Sequence, residues 1–71
     1  MTNHQFIIQD ENENQMGKFN GYRSFALAEC SARIASTIEE TMEIHVIDKW
    51  DSDTVVARFF DGEPLQISRG A

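Results

Sequence analysis

Apolar residues alternate with polar ones at the start of the chain, recur every three to four positions in the middle, and alternate again toward the end. Gln5 to Gln9 puts Phe6 and Ile8 on one face and Ile7 on the other, which predicts a first strand. Asp10-Glu11-Asn12-Glu13-Asn14 consists of turn formers and acids, so Gln15 to Tyr22 is expected to return as a second strand weakened by Gly17 and Gly21. An alternative places the hairpin turn at Asn20-Gly21. Ser24 is a helix N-cap candidate, and neither Gly nor Pro interrupts the stretch from Phe25 to Met42. Leu27, Ser31, Ile34, Ile38 and Met42 fall at helical spacing, flanked by Ala28, Cys30 and Ala35, which predicts one amphipathic helix with this stripe buried. Glu43 to Asp48 and Thr54 to Phe60 are rich in Ile, Val and Phe and read as a hairpin turning through Asp51-Ser52-Asp53. Asp61-Gly62 is a further turn signal, and Pro64 restricts the segment Glu63 to Ser68 to an edge strand or a tail.

The predicted fold class is therefore α+β: an antiparallel sheet of about four strands packed on one amphipathic helix, in the order β-β-α-β-β with room for a short extra C-terminal strand. A length of 71 residues limits the chain to a single domain, 1–71, with flexible ends expected at 1–4 and 68–71. A domain this small buries only roughly 60% of the surface its unfolded chain exposes, so covering further apolar surface with a partner or a second copy would stabilise it.

Twelve acidic residues against six basic ones give a net charge of −6, and no run of Lys or Arg offers a track for phosphates. Direct nucleic-acid binding is disfavoured, and so is an anionic membrane surface. No apolar stretch approaches the roughly 20 residues that span a bilayer. The polar start, Met1 to Gln5, does not read as an export signal, and the lone Cys30 fits a reducing compartment, so a cytoplasmic location is expected.

Catalytic chemistry has few candidates. His4, His45 and Cys30 lie in no recognisable motif; Cys30 falls on the stripe expected to be buried, and His45 points away from the side shared by Ile44 and Val46. Asp51-Ser52-Asp53 lacks the glycine and distal glutamate of a calcium loop, and the acids from Asp10 to Glu13 read as a solvated turn. The expectation is a protein that is not an enzyme, with no metal and no cofactor.

Charge placement is more informative than charge count. Traced through β-β-α-β-β, the residues Asp10, Glu11, Glu13, Glu39, Glu40, Glu43, Asp61 and Glu63 all arrive at one end of the sheet, while Arg23 and Lys49 lie toward the other and Lys18 in between. Such a pole attracts basic partners and imitates a row of phosphates; its plainer role is solubility. Glu39, Glu40 and Glu43 also oppose the helix dipole, which favours a functional reason for them. A second candidate surface is the sheet face away from the helix. If Val55, Ala57 and Phe59 face the helix, Ile47, Val56 and Phe60, with Trp50 nearby, form an outward apolar group suited to self-association unless the tail containing Leu65 and Ile67 folds across it.

Tyr22-Arg23-Ser24-Phe25 leading into an Ala-rich helix, followed by Glu43 to Asp48 and Thr54 to Phe59, resembles the layout of many small bacterial and phage proteins, including domains of unknown function and some anti-CRISPR inhibitors. The resemblance is one of pattern and transfers no functional residue. It implies a small bacterial or phage protein. The expected function is a protein-binding module, in its sharpest form an inhibitor that mimics nucleic acid toward a basic protein surface. The alternative is a structural, homodimeric module without a charge-specific partner.

Overall fold

The computed structural model describes residues 5–66. The elements are β1 (Phe6–Asp10), β2 (Gln15–Met16), α1 (Phe25–Ile38), β3 (Ile44–Asp48), β4 (Thr54–Phe60) and β5 (Glu63–Leu65). The strands form one antiparallel sheet of five in the order β2-β1-β3-β4-β5, and α1 packs across one face of it. The α+β class and the element order match the sequence pattern, with the short C-terminal strand present as the edge strand β5. The tail's Leu65 thus extends the sheet by pairing with Arg58, while Ile67 and the ends 1–4 and 68–71 lie outside the described residues. Among the described residues no helix is long and apolar enough to cross a membrane.

The first turn falls at residues 11–14, where Asp10 organises it. One Asp10 carboxylate oxygen accepts from the backbone N–H of Asn12 and of Asn14, both at 2.9 Å, and the other accepts from the Asn14 side-chain amide at 3.2 Å. The second strand is shorter than the pattern suggests. Gly17 and Gly21 take left-handed φ values of 70° and 88°, which break the extended run. Tyr22 then rejoins the sheet through a single bridge to Phe6, with backbone hydrogen bonds of 2.9 and 2.6 Å. At Gly21 a side chain is doubly excluded, because a Cβ there would lie 2.5 Å from the Phe6 carbonyl oxygen.

Ser24 caps α1 as expected, its Oγ accepting from the Leu27 N–H at 3.2 Å. The helix stops at Ile38, four residues before Met42, and Glu39 leaves helical geometry at φ −95°, ψ 70°. The side it buries is not the one that the large residues predict. Ala28, Ala32 and Ser36 face the sheet with no exposed surface, while Leu27 is 52%, Ile34 56% and Ile38 71% exposed and Cys30 lies open to solvent. The expectations that the Leu27–Ile38 stripe is core and that Cys30 is a core residue are both corrected. The reason is volume: the sheet presents Phe6, Ile8, Ile44, Val46 and Phe59, with Tyr22 beside them, and a helix packing onto side chains of that size approaches closely only through small ones. Ser36 adds a lock, because its Oγ donates to the Arg33 carbonyl at 2.7 Å and accepts from the Gly62 N–H at 2.8 Å, fastening the helix to the β4–β5 turn.

A register shift between β3 and β4 alters the alternation on β4. Val46 opposes Ala57 but Ile47 opposes Val55, leaving Val56 as the extra residue of a bulge. Val56 packs against the core with Ala57, and Val55 turns to the face away from the helix. This reverses the facing predicted for Val55 and Val56 by simple alternation.

Candidate functional site

Strand pairing decides what shares each end of the sheet. Asp10 opposes Ile44, Ile44 opposes Phe59, and Phe59 opposes Pro64, so the end of β1, the start of β3, the end of β4 and the start of β5 lie in one row. The C-terminus of α1 joins them through the Ser36–Gly62 hydrogen bond. Asp10, Glu11, Glu13, Glu39, Glu40, Glu43, Asp61 and Glu63 therefore do lie at one end. Tyr22 and Asp48, which pair with Phe6, mark the other end, where Arg23 and Lys49 come directly after them.

These eight carboxylates divide into two groups. Three are occupied within the fold. Asp10 is 6% exposed and committed to its turn, and the hydrogen bonds it accepts, from the Asn14 backbone N–H first, hold its pKa below the ordinary value. Glu11 Oε1 accepts from the Glu43 backbone N–H at 2.9 Å, tying the β1–β2 turn to the entry of β3. Glu43 Oε1 accepts from His45 Nε2 and from Arg58 Nη1, each at 3.0 Å; the histidine bond and then the arginine hold the Glu43 pKa down, so at neutral pH His45 Nε2 carries the proton of that bond. The other five, Glu13, Glu39, Glu40, Asp61 and Glu63, have carboxylates with no hydrogen-bond or ion-pair partner among the described residues. Glu13 and Asp61 stand at turn positions with φ 69° and 50°. Four of the described cations are engaged elsewhere: Arg58 on Glu43, Arg33 over the Phe59 ring at 5.4 Å, Lys18 over Tyr22 at 5.8 Å, and Lys49 on Asp53 at 3.0 Å, while Arg23 lies at the opposite end of the sheet.

The sheet face away from the helix forms a cleft of about 420 Å³ with Ile7, Ile47 and Val55 as its apolar floor and Gln9, His45, Glu11, Glu13, Lys49 and Asp53 around them. Of the residues expected to associate on this face, Ile47 is only 4% exposed and Val56 packs into the core, while Trp50, 69% exposed, and Phe60, 41% exposed, stand at opposite ends of the β3–β4 hairpin. The bulge at Val56 thus separates Ile47, Trp50, Val56 and Phe60, and no single outward patch unites them. The apolar surface that sequence reasoning missed is on α1. Its signal was present as the second helical stripe, Ala28-Ala32-Ser36, which suits close packing better than the larger stripe does.

Cys30 and His45 lie on opposite sides of the molecule, one on the outer surface of α1 and the other on the far face of the sheet. Among the described residues no group of three or more His, Cys, Asp and Glu is arranged to hold a metal ion. Comparisons with protein-family models, with curated proteins and with solved structures each returned no match.

Proposed function

We infer that this chain is a small non-catalytic binding module, of bacterial or phage type, whose acidic end engages a basic surface on another protein. The observation that carries the reading is the set of five carboxylates, Glu13, Glu39, Glu40, Asp61 and Glu63, gathered at one end of the sheet with no partner among the described residues, while Lys18, Arg33, Lys49 and Arg58 are engaged elsewhere. Unneutralised charge on a fixed frame produces a directional field that speeds encounter with a basic partner and rejects acidic ones. The frame itself is supplied by the occupied acids: Asp10 and Glu11 fix the first turn, and Glu43 joins β3 to β4 through Arg58. A nucleic-acid-binding protein is the sharpest form of partner, since its surface is already built to accept spaced negative charge.

The test is capture of a partner from bacterial lysate by the tagged chain at low and high salt, beside a Glu13→Lys, Glu63→Lys variant. That variant leaves Glu43 and α1 untouched and moves the net charge from −6 to −2. A basic protein retained at low salt, released at high salt and lost by the variant is the expected outcome. A partner held equally well by the variant at either salt concentration would overturn the reading.

A further inference from the structure

We propose that the outer face of α1 is a homodimer interface, across which the helix of a second copy packs antiparallel. A surface helix ordinarily buries its large apolar residues and shows polar ones to water. Here the arrangement is inverted: Ala28, Ala32 and Ser36 meet the sheet, and Leu27, Ile34 and Ile38 form an exposed row with Cys30 beside them. Residues three and four apart share one side of a helix, so these side chains make a continuous apolar stripe running the length of α1.

The charges around the stripe say what covers it. Arg23 precedes the N-terminus of α1, Glu39 and Glu40 come after its C-terminus, and the last turn contains no basic residue. The helix is therefore positive in both dipole and side chain at its start, and negative in both at its end. An antiparallel copy is complementary to this at each end. With the two-fold axis level with the middle of the stripe, Leu27 of one copy lies against Ile38 of the other, Cys30 against Ile34, and Arg23 beside Glu39 and Glu40. A parallel copy would oppose like charges at both ends. The antiparallel arrangement also carries the two acidic sheet ends to opposite extremes of the dimer, where they repel least and where Glu13, Asp61 and Glu63 stay open to a partner. The interface shares Glu39 and Glu40 with the acidic end but uses neither Glu13 nor Glu63, so the Glu13→Lys, Glu63→Lys variant tests the binding function inferred above without touching the dimer.

Sedimentation equilibrium of the full chain tests the proposal. The expected mass is twice the 8.1 kDa of one chain, and Ile34→Lys, Ile38→Lys, which changes only side chains exposed in the monomer, should give a folded monomer by circular dichroism. A short bis-maleimide should join Cys30 to Cys30 within the dimer, because packed helices at 8–10 Å place these residues roughly 10–12 Å apart. Arg23→Glu should weaken the dimer by about tenfold, since symmetry loses the contact twice, and adding Glu39→Arg and Glu40→Arg should restore it. A monomeric wild type, a dimer that survives Ile34→Lys, Ile38→Lys, or a charge swap that fails to restore association would each overturn the antiparallel dimer.

Discussion

Asp10 is an acid that the sequence assigns to a turn and the structure makes the organiser of that turn. It is buried at 6% exposure, yet both oxygens are satisfied by donors two and four residues on. Those donors favour the carboxylate over the acid, so the folded pKa falls below the ordinary 3.8. A depressed acid contributes stability that is fully present above the unfolded pKa and is lost as pH falls through the folded one. Glu43 acts in the same direction from its ordinary 4.5, through His45 first and Arg58 after it. Chemical denaturation across a pH series should therefore show stability declining from about pH 5 toward about pH 2. Asp10→Asn, which keeps an acceptor oxygen but cannot titrate, should show a shallower decline, with Glu43 supplying the remainder. Identical slopes for the two proteins would refute a role for Asp10 in acid sensitivity. None of this was legible beyond the residue type, because the donors reach Asp10 only once the turn has closed.

At the scale of elements, propensity and capping located α1 well and its rotation poorly. Ser24 and the absence of Gly and Pro mark where the helix begins, and its side chain does cap the Leu27 N–H. Two stripes with helical spacing compete for the sheet, and size alone favours Leu27, Ile34 and Ile38. The structure selects Ala28, Ala32 and Ser36, because Phe6, Phe59 and Tyr22 already fill the space between the layers. Packing at interior density constrains the sum of facing volumes, which the pattern on one element does not contain. Ala32→Leu should accordingly destabilise the protein by about 1–3 kcal/mol through overpacking, measured as a fall in the denaturation midpoint; an unchanged midpoint would mean the helix does not approach the sheet through Ala32. The bulge at Val56 is the same kind of decision, since alternation along β4 gives no sign of which residue its partner strand leaves unopposed.

For the whole molecule, a net charge of −6 is unevenly distributed, and the strand order together with the helix direction gathers five carboxylates without a partner among the described residues at one end. Apolar surface is uneven too, with the largest aliphatic residues of α1 outside. A chain of 71 residues stabilised by little core gains from covering that row. If only the folded chain pairs, association and stability are linked, and the unfolding temperature must rise with protein concentration. Thermal melts over a hundredfold dilution should show that rise for the wild type and a flat response for Ile34→Lys, Ile38→Lys; a flat wild-type response would argue against the dimer.

The sequence by itself determined the class, the element order, the helix cap, the first turn and the end at which the acids gather, because each depends on local spacing, turn chemistry and chain direction. Tertiary structure alone decided which helix stripe is core, which way Val55 and Val56 face, and which partners Asp10, Glu11 and Glu43 find. Those outcomes depend on facing volumes, on inter-strand register and on distant partners such as Arg58 for Glu43, which no local stretch of the chain encodes.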